Sequence, residues 1–313
     1  MDQLINPENL PQSKFKAGFV AVVGRPNVGK STLINSILSQ KIAAVSPKPQ
    51  TTRKQQLGIF STQNAQIVFM DTPGIHIAKH GLGKSMNRSA EYAIHDGDLI
   101  LWIVDGSVEP TKEDQIIAEK LNAYHSSGKT ILVVNKSDLN PDGKNRINVD
   151  EYQELLPNAE KVNVSALQNQ GIKKLLEMIE KRLPEGNPFF DDEQVTDYFE
   201  RDIAVELIRE AVLKNVSDEV PHAVAVRLDS YKDHGETNAT ITATLFVERE
   251  SQKGILIGKQ GSMIREIGKT AREEIELMTG RKIYLELHVK VHKNWRDNPN
   301  ALNLFGYSSR KEK

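Results

Sequence analysis

The chain has no cysteine among its 313 residues. That excludes disulfides, thiolate metal ligands and thiol nucleophiles, and is compatible with a reducing compartment. No apolar run approaches the length of a transmembrane helix; "LILWIV", Leu99 to Val104, is strand-sized. The first residues, "MDQLINPENLPQ", are acidic and polar and do not resemble a secretory signal, so a cytoplasmic location is expected. Internal repeats and low-complexity segments are also missing. Net charge is nearly absent, at −1, which by itself speaks against a nucleic-acid partner. Its distribution says otherwise. Pro188 to Glu248 carries 5 Lys+Arg against 14 Asp+Glu, whereas Arg249 to Arg296 carries 11 against 6. A basic stretch therefore follows an acidic one, either as a binding surface or as an ordinary solvated face.

What is present is a chain of ordinary globular composition, 38% hydrophobic and 27% charged, and long enough for two domains. In the first half, "GFVAVVG" (18–24), "AQIVFMDT" (65–72), "LILWIVDG" (99–106), "TILVVNK" (130–136) and "KVNVSA" (161–166) are short and almost continuously apolar, as buried parallel strands are. Helix-sized segments at 31–39, 112–125 and 172–183 lie between them, so a doubly wound α/β domain is expected. The pattern stops at "LPEGNPFFDDE", whose prolines, glycine and acidic cluster read as a linker. Beyond it come a helix over 199–215, two alternating strands ("HAVAVRLDSYK" and "NATITATLFVER"), a helical region and a third alternating strand, "KIYLELHVKVH".

"GRPNVGKS", Gly24 to Ser31, follows a strand, precedes a helix and fits the P-loop pattern. Gly24 and Gly29 let the backbone curl so that N–H groups converge on phosphate, with Arg25, Pro26, Asn27 and Val28 between them and Thr32 following. The helix N-terminus adds partial positive charge. Lys30 is expected to bridge the β- and γ-phosphates and Ser31 to ligate Mg²⁺. "DTPG" (Asp71, Thr72, Pro73, Gly74) ends another strand, where Asp71 can hold Mg²⁺ through water and the Gly74 amide can sense the γ-phosphate. "NKSD" contributes Asn135, Lys136 and Asp138, the last an acceptor pair suited to guanine's N1–H and exocyclic amine. Adenine offers neither donor, and a site left unpaired in this way discriminates by about 10⁴-fold or more. "SAL" (Ser165, Ala166, Leu167) follows the next strand, where amides can meet the guanine carbonyl. Each string alone is weak, but four in this order at successive strand ends indicate a guanine nucleotide.

With these motifs the sequence resembles the translation-factor-like branch of P-loop GTPases and, within it, the Era family. The resemblance implies that "QTTRK", Gln50 to Lys54, is the first switch, with Thr52 rather than Thr51 closing on Mg²⁺. It implies catalytic roles for Lys30, Thr52 and Gly74 and a metal set of Ser31, Thr52 and Asp71. Ras-like enzymes place a glutamine directly after the switch glycine to orient the attacking water. Here that residue is Ile75, so the resemblance implies slow intrinsic hydrolysis and another way of positioning water. The adjacent His76 reads as a satisfied loop histidine more readily than as a base. Asn27 either helps hold K⁺ near the phosphates, as in related GTPases with a hydrophobic residue at this place, or fixes the loop by hydrogen bonding.

A second glycine loop, "GKQG", Gly258–Lys259–Gln260–Gly261, lies between the apolar "GILI" and a helical run containing Met263, Ile264 and Ile267. A lone G-x-x-G carries almost nothing. Inside the basic stretch, among alternating strands, it fits the element order of a type II KH fold. Its glycines admit a sugar–phosphate backbone, Lys259 adds charge, and bases lie on an apolar groove that includes Ile264. Lys282, Lys290, Lys293 and Arg296 either touch phosphate or form a wet strand face and tail. The expected fold is therefore α/β: a P-loop GTPase doubly wound sheet over 15–183, a linker over 184–193, and an α+β type II KH domain with its tail over 194–313, after a flexible segment over 1–14.

The Era resemblance covers roughly Phe15 to Tyr307. It implies a monomeric GTPase that cycles between GTP and GDP with Mg²⁺, recognises the 3′ end of 16S ribosomal RNA, assists small-subunit assembly and has no DNA partner. It also implies peripheral association with the inner face of the membrane, where a basic surface meets anionic lipid. Two other readings stand beside it: an RNA-binding scaffold with an idle G domain, and a membrane-surface signalling GTPase whose second domain meets lipid. Intact Lys30, Ser31, Asp71 and Asp138 oppose the first, and the G-x-x-G loop opposes the second.

Overall fold

The computed structural model describes residues 15–46, 48–124, 126–139 and 146–307. The segment 1–14, expected to be flexible, lies outside the described residues, as do His125 and the tail beyond Tyr307. The first half builds a sheet from β1 (Lys16–Val23), β2 (Gln56–Ser61), β3 (Ala65–Asp71), β4 (Leu99–Asp105), β5 (Thr130–Asn135) and β6 (Glu160–Asn163). Their order is β2-β3-β1-β4-β5-β6, and every pairing is parallel except β2 with β3. Every residue of β3, β4 and β5 is buried, which is why those strands read as unbroken apolar runs.

Helices cover both faces. α1 (Lys30–Leu38) and α5 (Ile172–Arg182) pack with Val20, Phe69, Leu101 and Val133 on one side. α2 (Gly81–Asp96), α3 (Lys112–Ala123) and α4 (Arg146–Leu155) cover the other, around Trp102. Thr111 starts α3 through a capping box: its side chain accepts from the Asp114 amide while Asp114 accepts from the Thr111 amide. β2, α2 and α4 have no clear signature in the sequence. β2 is six residues with Gly58 in its interior, where a Cβ would lie 2.8 Å from Ile34, so the glycine exists to let α1 sit close. α2 contains two glycines and two serines, a poor helical sequence held by a buried stripe of Leu82, Met86, Ala90 and Ala93.

The second half is a three-stranded sheet of β7 (Ala225–Asp233), β8 (Asn238–Val247) and β9 (Lys282–Val291) in that order, with β8 and β9 parallel. α6 (Glu200–Asn215), α7 (Glu250–Ile257) and α8 (Ser262–Thr279) pack with it through Leu207, Leu256, Ile267 and Ile241. The chain then turns through Trp295 into a short α9 (Pro299–Leu304).

The segment expected to be a linker lies bonded along the first sheet. The Phe189 and Phe190 amides donate to Gln66 Oε1 at 2.6 and 3.0 Å, and just beyond the segment the Ile59 amide donates to the Val195 carbonyl at 2.9 Å. It thereby covers polar groups that an edge strand would otherwise expose.

The two halves meet on a mixed surface. Trp295, Leu302, Phe305 and Tyr307 pack against Leu82 and Met86 of α2. Lys41 bridges Glu210 of α6 and Glu274 of α8 at 3.0 and 2.8 Å. Burial raises the Glu274 carboxyl, but hydrogen bonds and charge from Lys41 and Lys214 outweigh it and hold the group below its ordinary value. Beside Trp295 and Tyr307 of the apolar cluster lies Arg53, 3% exposed. Its guanidinium donates to the carbonyls of Val224 at 2.6 Å and His222 at 2.9 Å.

Candidate functional site

The P-loop leaves β1 at Gly24 and enters α1 through Gly29, which holds φ +96°. A Cβ on Gly29 would lie 2.3 Å from Asn135 Nδ2, and one on Gly24 would lie 2.4 Å from the Ile103 carbonyl. The loop therefore runs where no side chain fits. α1 begins without a side-chain cap, leaving first-turn amides for a ligand. Val28 is buried in the core, and Arg25 turns aside to Asp114 at 3.1 Å, so both residues offer the cleft backbone rather than side chain. Pro26, Asn27, Gly29, Lys30, Ser31 and Thr32 line a cleft closed by Gln50, Thr51, Thr52 and Gly74.

Lys30 Nζ donates to the carbonyls of Gly24 at 3.1 Å and Arg25 at 3.0 Å. Burial lowers its ammonium to about 8, partly offset by the charge of Asp71. Ser31 Oγ donates to Asp71 Oδ2 at 2.8 Å and lies 2.8 Å from Thr52 Oγ1, which is itself 3.4 Å from Asp71 Oδ2. Burial raises the Asp71 carboxyl to about 6 against the pull of Ser31 and Lys30, and its Oδ1 is buried without a partner. Two hydroxyls and a carboxylate with an unpartnered oxygen fit a hard divalent cation such as Mg²⁺. Bound there, such an ion would offset charge on phosphate oxygens. Thr51, by contrast, donates to the Lys48 carbonyl at 2.7 Å within its own turn.

The second switch packs on the P-loop. A Cβ on Gly74 would meet the Pro26 nitrogen at 2.7 Å, and the Ile75 amide donates to the Gly24 carbonyl at 3.2 Å. Thr72 turns inward to donate to the Val22 carbonyl at 2.7 Å, and Pro73 is buried. His76 is held on three sides: Nδ1 lies 2.9 Å from the Gly74 carbonyl, Nε2 lies 3.4 Å from Gln50 Nε2, and Asn87 bonds its backbone.

At the other end, Asn135 works as a fastener. Its Nδ2 donates to the Val28 carbonyl at 2.8 Å while its Oδ1 accepts from the Ala166 amide at 3.0 Å. Lys136 pairs with Asp105 at 2.6 Å. Asp138 is half-buried and accepts from Ser165 Oγ at 2.5 Å, while the Leu167 side chain is 75% exposed.

The second glycine loop joins α7 to α8. Gly258 holds φ +71°, Gln260 +53° and Gly261 +76°. A Cβ on Gly258 would lie 2.7 Å from the Met263 amide nitrogen, so that glycine is required. Gly261 caps α8 with no side-chain bond, Lys259 and Gln260 are exposed, and Ile264 is half-buried beside the loop. Lys282, Lys290 and Lys293 are exposed, but Arg296 is tied to Glu248 through Nε at 3.0 Å and does not belong to a free basic tail.

Two family models match this chain: one described as a 50S ribosome-binding GTPase over residues 19–136, the other as a KH domain over residues 219–296. The curated GTPase Era of Geobacter sp. (strain M21) is 45% identical over 298 residues, covering 95% of this chain and all of that protein. The chain belongs to the Era family of GTPases. A solved structure of Era in complex with MgGDPNP and nucleotides 1506–1542 of 16S ribosomal RNA is 40% identical, with a TM-score of 0.88 over 94% of this chain and all of that one. A tyrosine-to-alanine variant of Aquifex aeolicus Era, bound to GDP·AlF4⁻, gives the same identity, coverage and TM-score.

In this Era-family chain the structure brings Lys30, Ser31, Thr52 and Gly74 to one cleft, bonds Asp71 to Ser31, and ties Asn135 to Ala166 and Asp138 to Ser165 beside the P-loop, with Lys136 next in the chain. Sequence reasoning missed the side chains that tie these pieces to the rest of the molecule. In sequence Arg53 reads as part of a switch rather than as a buried domain contact, and nothing marks Arg265, which donates to the Gln260 and Gly261 carbonyls at 2.7 and 3.1 Å. The one available signal was position: Arg53 directly follows the threonine expected at the metal.

Proposed function

We propose that this GTPase is a switch that binds the 3′ end of 16S ribosomal RNA through its second glycine loop and assists assembly of the small ribosomal subunit. The nucleotide is held by Gly24 to Thr32, Asp71 to Ile75, Asn135, Lys136, Asp138 and Ser165 to Leu167, with Mg²⁺ on Ser31, Thr52 and Asp71. RNA is held by Gly258 to Gly261 and Ile264. The observation that carries the reading is the continuity of the first switch: Thr52 lies at the metal trio, while the next residue, Arg53, is buried in carbonyls of the second domain. GTP-dependent closure of Thr52 thereby acts on the position of the RNA-binding half. The relative solved with both MgGDPNP and 16S ribosomal RNA supports this assignment of partners.

This reading places the protein in the cytoplasm as a monomer. No helix among the described residues is long and apolar enough to cross a membrane. Peripheral contact with anionic lipid at the inner membrane would use the exposed Lys259, Lys282, Lys290 and Lys293. The tight backbone at Gly258 and Gly261 favours RNA, because lipid electrostatics requires charge but not that geometry.

The test is GTP turnover with and without a 16S 3′-end oligonucleotide, in wild type and Gly258→Asp. The aspartate places a Cβ against Met263 at a left-handed backbone position and adds negative charge to a phosphate-binding loop. Wild type is expected to be stimulated and the variant to keep basal turnover but lose the stimulation. Equal stimulation of both proteins removes this loop from RNA recognition.

A further inference from the structure

Position 75 cannot orient water in this protein. Ile75 is 1% exposed and packs in the cluster that contains Val23, Ile94 and Trp102. The polar side chain that stands at the junction of both switches is Gln50. It lines the same cleft as Lys30, Thr52 and Gly74. Its backbone holds φ +61°, a left-handed conformation that is unfavourable for a non-glycine residue and persists only where the surroundings enforce it. They do so here from the second domain: Arg209 Nη1, on α6, donates to the Gln50 carbonyl at 3.2 Å.

The orientation of the Gln50 amide follows from His76. His76 Nδ1 lies 2.9 Å from the Gly74 carbonyl, and a carbonyl can only accept, so Nδ1 carries the proton. In the neutral ring Nε2 is then an acceptor, and the group 3.4 Å away from it is Gln50 Nε2, a donor. His76 is itself braced by Asn87, which accepts from its amide at 3.2 Å and donates to its carbonyl at 2.7 Å. That contact uses a donor of the Gln50 amide and leaves Oε1 unengaged by His76, on a side chain that lines the cleft together with Gly74, the glycine whose amide is assigned to the γ-phosphate.

We propose that Gln50 orients the attacking water, replacing the glutamine that position 75 lacks, and that His76 is the positioning residue that holds its amide. This rests on the nucleotide site proposed above. In the reaction the water oxygen forms a bond to the γ-phosphorus, and the bond from that phosphorus to the bridging oxygen breaks with its electron pair staying on GDP. The water proton passes to a γ-phosphate oxygen, giving inorganic phosphate. Gln50 Oε1 accepts a hydrogen bond from the water without taking its proton, so it fixes direction rather than acting as a base.

The experiment is single-turnover GTP hydrolysis by the full chain, run beside affinities for a non-hydrolysable GTP analogue and for GDP with aluminium fluoride. Gln50→Gly accepts the backbone conformation and deletes the amide. It is expected to slow hydrolysis about 100-fold and weaken the aluminium fluoride complex in proportion, with analogue affinity within about 2-fold of wild type. His76→Ala is expected to lose about 10-fold, and the double variant to be no slower than Gln50→Gly, because both residues act through one water. Wild-type rates in Gln50→Gly, a parallel loss of analogue affinity, or additive losses in the double variant would overturn the proposal. A wild-type protein that fails to bind the analogue would instead overturn the nucleotide site, and this inference with it.

Discussion

Lys30→Met is expected to cut GTP turnover by about 10²- to 10³-fold while making the nucleotide-free protein more stable. The first effect follows from the electrostatics of phosphoryl transfer. In the proposed site the Lys30 ammonium, fixed by the Gly24 and Arg25 carbonyls, would face the charge that develops on the phosphates, and removing one such group typically costs this much. The second effect follows from burial. Lys30 is 6% exposed, and its desolvation lowers the ammonium to about 8. A folded-state value below the unfolded one means the fold is penalised wherever the lysine is charged. That penalty is complete below about pH 8 and is relieved as pH rises toward the unfolded value of about 10.4. Methionine has comparable length and no charge, so at neutral pH the variant should gain about 1–2 kcal/mol, with the gain shrinking above pH ~8. Thermal melts of both proteins across pH, without nucleotide, measure it. A variant that is less stable at neutral pH would show that the two carbonyl bonds outweigh the buried charge.

Arg53→Ala is the second large effect, and it concerns the joint between the halves. The guanidinium makes short bonds to the Val224 and His222 carbonyls and lies 5.9 Å from the centroids of both Trp295 and Tyr307. Burial lowers its pKa, with only partial relief from Tyr307. Hydrogen bonds from a charged group are worth about 1.5–3 kcal/mol each, and truncation also leaves buried carbonyls unsatisfied beside a cavity. We expect a loss of about 3–5 kcal/mol in the stability of the interface. Amide exchange should report it at residues 221–225 and 295–307, while β4 and β5 keep their protection. Arg53→Lys should recover less than half, because one ammonium cannot reproduce the guanidinium's fork. Unchanged protection at 221–225 in Arg53→Ala would mean the domains are held by the Trp295 and Phe305 cluster and the Lys41 ion pairs alone.

Much of the first domain was legible because its strands are buried on both faces, and burial on both faces writes itself as uninterrupted Val, Ile and Leu. β2 escaped because it is a short edge strand with a glycine at its centre, and α2 because its Gly and Ser residues hide a stripe that becomes visible only when Leu82 and Met86 meet Phe305 and Tyr307. In the proposed site, the motif residues stand out in the sequence because phosphate, metal and guanine chemistry would restrict them to few residue types at set strand ends. Thr52 and Thr51 were separable in sequence only through the family resemblance; in the structure Thr52 meets Ser31 and Asp71, whereas Thr51 closes a local turn. What stayed illegible is what depends on distant partners. Arg53, Gln50 and Arg296 are polar residues in polar segments, and such residues read as surface until a sequence-distant partner is placed beside them: carbonyls of the second domain for Arg53, the Arg209 guanidinium for Gln50 and the Glu248 carboxylate for Arg296. The stretch at 184–193 reads as a linker for a similar reason, since nothing in its composition reveals that Gln66 holds it to the sheet.

The central claim is that the nucleotide cleft and the second glycine loop are energetically coupled through the first switch. The most direct measurement is the affinity of the full chain for a 16S 3′-end oligonucleotide, by fluorescence anisotropy, with GDP and with a non-hydrolysable GTP analogue at the same salt concentration. Coupling between two sites of one protein is commonly about 1–3 kcal/mol and must be reciprocal. The expected result is RNA binding about 10-fold tighter in the triphosphate state, matched by an equal tightening of the analogue when RNA is present. Equal RNA affinity in both nucleotide states would contradict the account and leave two tethered domains that act separately.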